Sequence, residues 1–346
     1  MPSESRSYNV AVVGATGVVG EAMLELLAKR AFPVQKIYAL ASDRSAGTEV
    51  TFKKERIIVQ DVSTFDPTGI DIALFSAGAD TALEYAPVFA QAGAIVIDNS
   101  SAFRADDDVP LVVYEVNPEA IAHCPRKIIA NPNCSTIQML VALAPLHRRY
   151  IISRIHVVTY QSASGAGRLA LEELAQQTAH LLSFKEITPK EFPVQIAFNV
   201  IPHIDSFQDN GYTKEEMKLV LETQKILSDP EIRVNPTAVR VPVFYGHSEA
   251  VSIETRHKVS AKEARALLSQ TPGVEVVDTC QKAGYPTPVT HGSGKDPVYV
   301  GRIREDLSHP NGLNLWIVAD NIRKGAALNA VQLAEYVASN LLQTRH

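Results

Sequence analysis

YNVAVVGATGVVGEAMLELLAKR, residues 8–30, decides the fold of this chain. An apolar run of strand length ends at Gly14, and Gly14, Gly17 and Gly20 punctuate the turn that follows. Residues 21–30 then repeat apolar side chains at helical spacing. A strand, a glycine-rich turn and a helix in this order are typical of a unit whose helix N-terminus binds the pyrophosphate of a dinucleotide. The glycine spacing differs from G-x-G-x-x-G, so an ordinary strand-to-helix turn is the alternative.

The same alternation continues along the first part of the chain. Further strands are predicted at residues 36–42, 70–78 and 93–101, and a helix at residues 85–92. Strands that alternate with helices indicate a parallel sheet with right-handed crossovers. The pattern holds to about residue 133, which predicts an N-terminal Rossmann-like domain over residues 1–133.

The second part of the chain has a different pattern. Long strands are predicted at residues 154–164, 194–204, 239–255 and 312–321. Two helices begin at capping boxes, Thr213 with Glu216 and Ser260 with Glu263. We therefore expect the chain to be α/β overall, with an α+β catalytic and dimerisation domain over residues 134–323 that contains a mixed or antiparallel sheet. The amphipathic segment 324–346 is expected to pack on the first domain.

Composition excludes several classes of protein. The chain has 346 residues, 46% of them hydrophobic and 21% charged, and its net charge is -5, which gives no electrostatic footprint for nucleic acid. No apolar run is long enough to cross a membrane, and the polar N-terminus does not resemble a signal peptide, so we expect a cytoplasmic protein. Cys124, Cys134 and Cys280 are too few and too far apart for a disulfide framework or a zinc site.

The residues after the second strand, ALASDRSAG at 39–47, bear on the choice of dinucleotide. Sites for NAD usually place an acid here, whereas sites for NADP supply small donors and an arginine for the 2′-phosphate. Ser42, Arg44 and Ser45 are such donors and favour NADP. Asp43 would repel the phosphate, and we expect it to point away.

Cys134 stands where turn-forming residues give way to a long apolar helix, in NPNCSTIQML at 131–140. Backbone donors at a helix N-terminus stabilise a thiolate, which is the nucleophilic form of cysteine. A small buried side chain is the alternative, since free cysteines are usually buried. His247, in the segment RVPVFYGHSEAV at 240–251, is a candidate acid and base.

Seven segments, taken together, resemble the aspartate-β-semialdehyde dehydrogenase family. They are GATGVVG at 14–20, ASDRSAG at 41–47, SSAFR at 100–104, NPNCST at 131–136, QSASGAG at 161–167, RVPVFYGHSEAV at 240–251 and DNIRKGAALNA at 320–330. The resemblance covers residues 8–340, and the last of these segments is most similar to the bacterial branch. N-acetyl-γ-glutamyl-phosphate reductases have glycine before the cysteine, where this chain has Asn133. The cysteine motif of glyceraldehyde-3-phosphate dehydrogenase is also absent.

The resemblance implies a role for each of several residues. Cys134 would form a covalent acyl-enzyme, Gln161 would orient the substrate, and His247 would act as acid and base. Arg240 would bind the α-carboxylate of the substrate, and Glu215 would bind its ammonium group. Without the resemblance, the spacing of Glu215 and Lys218 predicts only an ordinary surface ion pair. The phosphate group would be bound by Arg104, Lys218 and Asn133. The residues implied to contact NADP are Gly14, Thr16, Gly17, Val18, Val19, Ser42, Arg44, Ser45, Ser76, Ala77, Gly78, Ser164, Gly165 and Asn321.

The function implied by the resemblance is the NADPH-dependent reductive dephosphorylation of L-4-aspartyl phosphate to L-aspartate 4-semialdehyde. The reaction would pass through a cysteine thioester, would be reversible and would require no metal. It would serve the biosynthesis of lysine, threonine, methionine and isoleucine. A homodimer or homotetramer is implied, with no nucleic-acid or membrane partner. The alternatives are a reductase of another acyl phosphate, such as N-acetyl-γ-glutamyl phosphate, and a non-catalytic paralogue that binds a dinucleotide.

Overall fold

The computed structural model describes residues 6–342, and the chain divides into two compact units. One unit holds the chain up to Pro132 together with the segment from Ala326 onward, and the other is Asn133–Gly325. The first contains a parallel sheet and the second a mixed sheet. The expected fold class is therefore confirmed.

The sheet of the first unit follows the strand–helix alternation. Its strands are β1 (Tyr8–Val13), β2 (Val34–Ala41), β5 (Gln60–Asp61), β6 (Ile72–Phe75), β7 (Ile95–Asp98) and β8 (Ile128–Ala130), in the order β5-β2-β1-β6-β7-β8. All the pairings are parallel. A hairpin of β3 (Glu49–Phe52) and β4 (Glu55–Ile58) precedes β5. Because the strands are parallel, the turns after β1, β2 and β6 lie at the same edge of the sheet.

Three helices belong to this unit: α1 (Val18–Lys29), α2 (Ala79–Gln91) and α7 (Leu328–Val337). The helix predicted at residues 85–92 is α2, which begins six residues earlier, at Ala79. Buried side chains of α1 and α7, among them Leu27 and Leu333, belong to one hydrophobic cluster. Arg30, the C-cap residue of α1, forms a salt bridge of 2.7 Å with Glu335 of α7.

The second unit is built on a mixed sheet in the order β10-β9-β11-β14-β13-β12. Its strands are β9 (Ile152–Gln161), β10 (Arg233–Arg240), β11 (His247–Thr255), β12 (Val274–Val276), β13 (Val298–Glu305) and β14 (Gly312–Ala319). The helices are α3 (Cys134–Tyr150), α4 (Arg168–Leu182), α5 (Lys214–Leu227) and α6 (Ala261–Leu268). The long, mostly buried α3 packs against β9, β11, β13 and β14. Both predicted capping boxes are present, at the starts of α5 and α6.

The strand predicted at residues 194–204 is wrong. The segment contributes one isolated bridge, between Ile201 and Arg240, and its chain reverses at Phe198, which has a left-handed φ of 59°. The side-chain oxygen of Gln177 accepts the N–H groups of Ile196 and Ala197, so these donors need no partner strand. Of the apolar residues that suggested a strand, Ile196, Ala197 and Ile201 are buried in a small cluster beside α4, whereas Val194, Phe198 and Val200 are exposed.

The single strand predicted at residues 239–255 is also wrong, because β10 and β11 are separate strands joined by residues 241–246. Pro242 lacks the N–H that would continue the ladder. Gly246 has a φ of 89°, which turns the chain towards β11. Likewise, residues 163–166 form a turn of 3-10 helix rather than an extension of β9.

Within residues 6–342, no helix is long and apolar enough to cross a bilayer.

Candidate active site

Three polar side chains lie at one edge of the second sheet. Gln161 ends β9, Arg240 ends β10, and His247 begins β11. The first two strands are parallel with Gln161 beside Arg240, whereas β11 runs antiparallel to β9. The carboxyl ends of β9 and β10 therefore lie beside the amino end of β11. All three side chains are buried.

Cys134 is the first residue of α3, and it is partly exposed although most of that helix is buried. Asn133 caps the helix, since its Oδ1 accepts the N–H groups of Ser135 at 3.0 Å and Thr136 at 3.4 Å. Gly325 packs so closely that a Cβ there would lie 2.7 Å from the Cβ of Cys134. The thiol is thus at a helix N-terminus, where backbone donors favour the thiolate.

Glu215, on α5, is a buried carboxylate with three donors. Its Oε1 accepts from Nδ2 of Asn133 at 2.9 Å and from Nε2 of Gln161 at 3.1 Å, and its Oε2 lies 2.9 Å from Nζ of Lys218. Burial alone would raise the pKa of Glu215, but the Lys218 charge and the two amide donors outweigh it and hold this pKa below its usual range. Glu215 is therefore ionised inside the protein.

Lys218 also lies 3.0 Å from the carboxylate of Asp205. Burial lowers the pKa of Lys218, but Glu215 and Asp205 raise it above its usual value overall. The alternative of an ordinary surface pair is wrong, because the side chains of Glu215 and Lys218 are only 7% and 19% exposed. A phosphate bound at Lys218 would therefore lie near the carboxylates of Glu215 and Asp205, which already contact this ammonium group.

His247 is a neutral imidazole. Burial, together with the charge of Arg240, lowers its pKa to about 3. The backbone N–H of Ser162 donates to Nδ1 at 3.0 Å, so Nδ1 is an acceptor and the proton is on Nε2. Nε2 is buried and has no hydrogen-bond partner among the described residues. The ring therefore has a free N–H donor.

Arg240 is 6% exposed, and its guanidinium donates to the carbonyl of Ser162 at 2.8 Å. No carboxylate among the described residues forms a salt bridge with it. Burial lowers its pKa, and the negative charges of Glu215 and Cys134 oppose this shift, so both groups lie within electrostatic reach. Gly165 packs against this side chain, since a Cβ there would lie 2.8 Å from a guanidinium nitrogen and 3.2 Å from Nε2 of His247.

Asn321 forms hydrogen bonds with the two loops that flank Arg240 and His247. Its Oδ1 accepts from the hydroxyls of Ser162 and Ser164, both at 3.1 Å, and from the N–H of Gly246 at 3.0 Å. Its Nδ2 donates back to the Ser164 hydroxyl at 2.9 Å. The side chains of Asn321 and Ser164 are thus engaged with each other in this structure, which fixes the position of Ser162 behind His247.

Three residues of this site were not singled out from the sequence. Ser162 contacts both His247 and Arg240, Asp205 binds Lys218, and Glu222 accepts the N–H of Asn133 at 2.7 Å. Glu222 follows Glu215 by seven residues, so helical periodicity could have placed both acids on one face of α5. Asp205 lies in an irregular segment and has no comparable signal.

The first unit contains a cavity of about 690 Å³ at the carboxyl ends of β1, β2 and β6. Seven of the residues expected to contact a dinucleotide line it: Gly14, Thr16, Gly17, Ser42, Ser45, Ser76 and Ala77. Val18, Val19, Arg44 and Gly78 are not part of this lining, and Ser164, Gly165 and Asn321 belong to the second unit.

The turn before α1 fits a bound pyrophosphate. Gly14 has a φ of 85°, and a Cβ there would lie 2.5 Å from the carbonyl oxygen of Ser76, so only glycine is accommodated without strain. Gly17 is the N-cap of α1 and no side chain caps the helix, which leaves donors of the first turn available for phosphate. The residues present therefore fit a dinucleotide.

Asp43, which was expected to point away from the 2′-phosphate, is among the residues that line the cavity. Its Oδ1 accepts the N–H of Arg44 at 2.8 Å, within a turn in which the N–H of Ser45 donates to the carbonyl of Ser42. Asp43 and Arg44 are both exposed, and Arg44 does not belong to the lining.

Arg104 also belongs to the first unit, in the segment after β7. Its guanidinium donates to the carbonyl of Asn99 at 3.0 Å. Burial raises the pKa of the neighbouring Asp98, while hydrogen bonds from Ser100 and the charge of Arg104 oppose that rise. In residues 6–342, no group of three or more His, Cys, Asp or Glu is arranged to hold an ion.

Comparison with known proteins identifies the family. Residues 9–124 match the semialdehyde dehydrogenase NAD binding domain, and residues 143–324 match the semialdehyde dehydrogenase dimerisation domain. The aspartate-semialdehyde dehydrogenase of Shewanella violacea is 57% identical over 332 residues, which cover 96% of this chain and 98% of that protein.

Solved structures agree. The crystal structure of aspartate semialdehyde dehydrogenase II complexed with ASA from Vibrio cholerae has a TM-score of 0.95 and 56% identity, covering 97% of this chain and all of that one. The crystal structure of aspartate semialdehyde dehydrogenase with NADP from Candida albicans is more distant, with a TM-score of 0.73 and 25% identity over 96% and 98% of the two chains. This chain thus has a nicotinamide-dinucleotide-binding domain and a dimerisation domain, and it is an enzyme that belongs to the aspartate-semialdehyde dehydrogenase family.

Proposed function

We propose that this enzyme reduces L-4-aspartyl phosphate to L-aspartate 4-semialdehyde, releasing phosphate and consuming NADPH, and that it also runs in reverse. The observation that carries the proposal is the combination found in the second unit. A thiol at a helix N-terminus, an ionised buried glutamate, a neutral imidazole and a buried arginine without a salt bridge in residues 6–342 occur together there. Glu215 accepts a hydrogen bond from Asn133, the residue before Cys134, while Arg240 and His247 both form hydrogen bonds with Ser162. Each group matches one part of an amino-acid acyl phosphate.

Substrate binding is assigned to oppositely charged groups. Arg240 forms no salt bridge with a carboxylate of residues 6–342, so its guanidinium can bind the α-carboxylate in a bidentate manner. Glu215 is ionised and attracts the α-ammonium group, and Gln161 fixes this carboxylate from the neighbouring strand. Arg104 and Lys218 are assigned to the phosphate. Asn133 supports them indirectly, because its side chain caps α3 and contacts Glu215.

The chemistry begins at Cys134. Its thiolate attacks the acyl phosphate carbonyl, the carbon–oxygen bond to phosphate breaks, and a thioester with Cys134 remains. Backbone donors at the start of α3 stabilise the oxyanion of this step. When bound, the nicotinamide cofactor supplies the hydride that reduces the thioester. The Nε2–H of His247 would donate a hydrogen bond to the resulting oxygen anion. This anion collapses to the aldehyde carbonyl as the carbon–sulfur bond breaks, and the electron pair of that bond returns to sulfur as the thiolate.

NADP is the proposed cofactor. Ser42 and Ser45 line the cavity of the first unit, and Arg44 lies between them in the same turn. The presence of NADP in the Candida relative supports the same choice. The other proposed contacts are those expected from the sequence, including Ser164, Gly165 and Asn321 of the second unit.

The proposal includes a homodimer or homotetramer, since the second unit matches a dimerisation domain. It also includes a cytoplasmic location, which suits the three free cysteines at 124, 134 and 280.

A second candidate is the reduction of N-acetyl-γ-glutamyl phosphate by the same chemistry. Such a substrate carries an acylated nitrogen with no positive charge. The ionised, buried Glu215 would then have no cation of the substrate to bind, so the free amino acid derivative is favoured. A non-catalytic paralogue is disfavoured because the thiol, imidazole and guanidinium are all in place.

The test is the initial rate of NADP reduction with L-aspartate 4-semialdehyde and phosphate. Cys134→Ala should abolish it, whereas the matched variant Cys280→Ala, which removes an exposed thiol, should retain it. N-acetylglutamate semialdehyde should be a poor substrate. Phosphate-independent activity, activity that survives Cys134→Ala, or faster turnover of the acetylated substrate would each contradict the proposal.

A further inference from the structure

The charge around the cavity of the first unit is unusual for a site that takes a phosphorylated ribose. Three acidic residues, Asp43, Asp61 and Glu84, are among those that line it, and none of the lining residues is lysine or arginine. The 2′-phosphate of NADP carries about two negative charges near neutral pH, by analogy with other phosphate monoesters. The lining by itself therefore disfavours that group.

Asp43 is the carboxylate best placed to act on the ribose. It lies two residues after the end of β2, the strand beside β1, where an acid in dinucleotide-binding folds accepts hydrogen bonds from ribose hydroxyls. Its Oδ1 is occupied by the N–H of Arg44. Its Oδ2 has no hydrogen-bond partner among the described residues, so it is available as an acceptor.

Arg44 is the cation that can oppose this effect. It is exposed, makes no salt bridge with any described residue, and immediately follows Asp43. A guanidinium on this turn can reach a 2′-phosphate while Asp43 repels it. Because both side chains are exposed, solvent screens each of them, so neither effect is large.

We propose that Asp43 sets the choice of cofactor: it accepts hydrogen bonds from the ribose of NAD and weakens binding of NADP, so that this enzyme uses both cofactors with only a modest preference for NADP. The inference deepens the proposed function and rests on it for the reaction that the cofactors serve. It differs from the family-based expectation in giving Asp43, rather than Arg44 alone, control of selectivity.

The test is direct titration of NADP and NAD by calorimetry with the wild type, Asp43→Asn and Arg44→Ala. Asparagine retains the acceptor for the Arg44 N–H and removes the charge. Asp43→Asn should tighten NADP about fivefold and weaken NAD by a few fold, the effect of one screened charge at short range. Arg44→Ala should weaken NADP about tenfold and leave NAD unchanged. Asp107→Asn, an exposed acid outside the cavity lining, is the matched control and should change neither affinity.

The inference is overturned if the wild type fails to bind NAD at millimolar concentration, or if the ratio of the two affinities in Asp43→Asn stays within twofold of the wild-type ratio. Binding and reaction can fail separately. A chain that shows the predicted affinities but does not oxidise the semialdehyde would remove the proposed reaction and leave the role of Asp43. An active enzyme with an unchanged affinity ratio would remove only the role of Asp43.

Discussion

Glu249→Gln should stabilise this protein at neutral pH. Glu249 lies on β11, is completely buried, and neither of its carboxylate oxygens has a hydrogen-bond partner among the described residues. Gln138 of α3 is a polar neighbour, but its amide atoms also lack partners. Because no cation compensates the burial, the pKa of Glu249 is raised well above its ordinary value, and the folded protein holds it protonated.

The sign of the pH dependence follows from the bound proton. Above the ordinary pKa of glutamate, the unfolded chain releases the proton while the folded chain keeps it. Folding then takes up a proton, so the contribution of Glu249 to stability falls by about 1.4 kcal/mol for each pH unit until the folded-state pKa is passed. Glutamine has nearly the same shape and does not ionise. The stability gained by Glu249→Gln should therefore grow with pH over this window.

Urea unfolding at several values between about pH 5 and pH 8 measures this difference. The single tryptophan, Trp316, lies opposite Ala250 on the neighbouring strand β14, so its fluorescence reports on the same sheet. Glu275→Gln, on the exposed part of β12, is the control and should give no such slope. A free-energy difference for Glu249→Gln that does not change with pH would refute the reasoning, because it would mean that Glu249 is ionised in the folded protein or that its burial is not maintained.

Three further predictions concern the turn, the substrate and the helix cap. Gly14→Ala should destabilise the protein by roughly 2 kcal/mol or more and abolish dinucleotide binding, because φ at this position is positive and the added Cβ would clash with Ser76. Gly69 has a similar φ but open space around it, so Gly69→Ala should lower the melting temperature less in thermal unfolding. Arg240→Lys should raise the KM for the semialdehyde roughly 10-fold to 100-fold in steady-state assays, since lysine cannot bind a carboxylate in a bidentate manner. An unchanged KM would rule out binding of the substrate carboxylate by Arg240. Asn133→Ala should lower the free energy of unfolding by about 1 kcal/mol through loss of the cap on α3, and an unchanged value in urea titration would exclude capping.

Local patterns in the sequence predicted much of the fold. The strand, glycine turn and helix of residues 8–30 fall in β1 and α1 because apolar periodicity and turn chemistry act over a few residues. The strand predicted at 194–204 failed because the side chain of Gln177, distant in the chain, takes up the donors of Ile196 and Ala197. A contact of that kind leaves no mark in the segment itself.

In the candidate site, too, some features could be predicted from neighbouring residues and others could not. Cys134 at the start of a helix could be read from its neighbours. The burial of Glu215 beside Lys218 could not, because a pair three residues apart on a helix looks the same whether it faces solvent or the interior. The burial of Glu249 was equally hidden, since a glutamate in a strand normally faces water. Family resemblance supplied roles that spacing alone could not.

The covalent intermediate at Cys134 is the central claim, and mass spectrometry tests it most directly. The enzyme would be incubated with L-aspartate 4-semialdehyde and NADP without phosphate, so that hydride transfer occurs but the thioester is not released by phosphate. We predict one aspartyl group on the peptide that contains Cys134, removed when phosphate is added and absent from Cys134→Ala. NADPH formation with no acyl group on Cys134, or with the group on another residue, would contradict this mechanism.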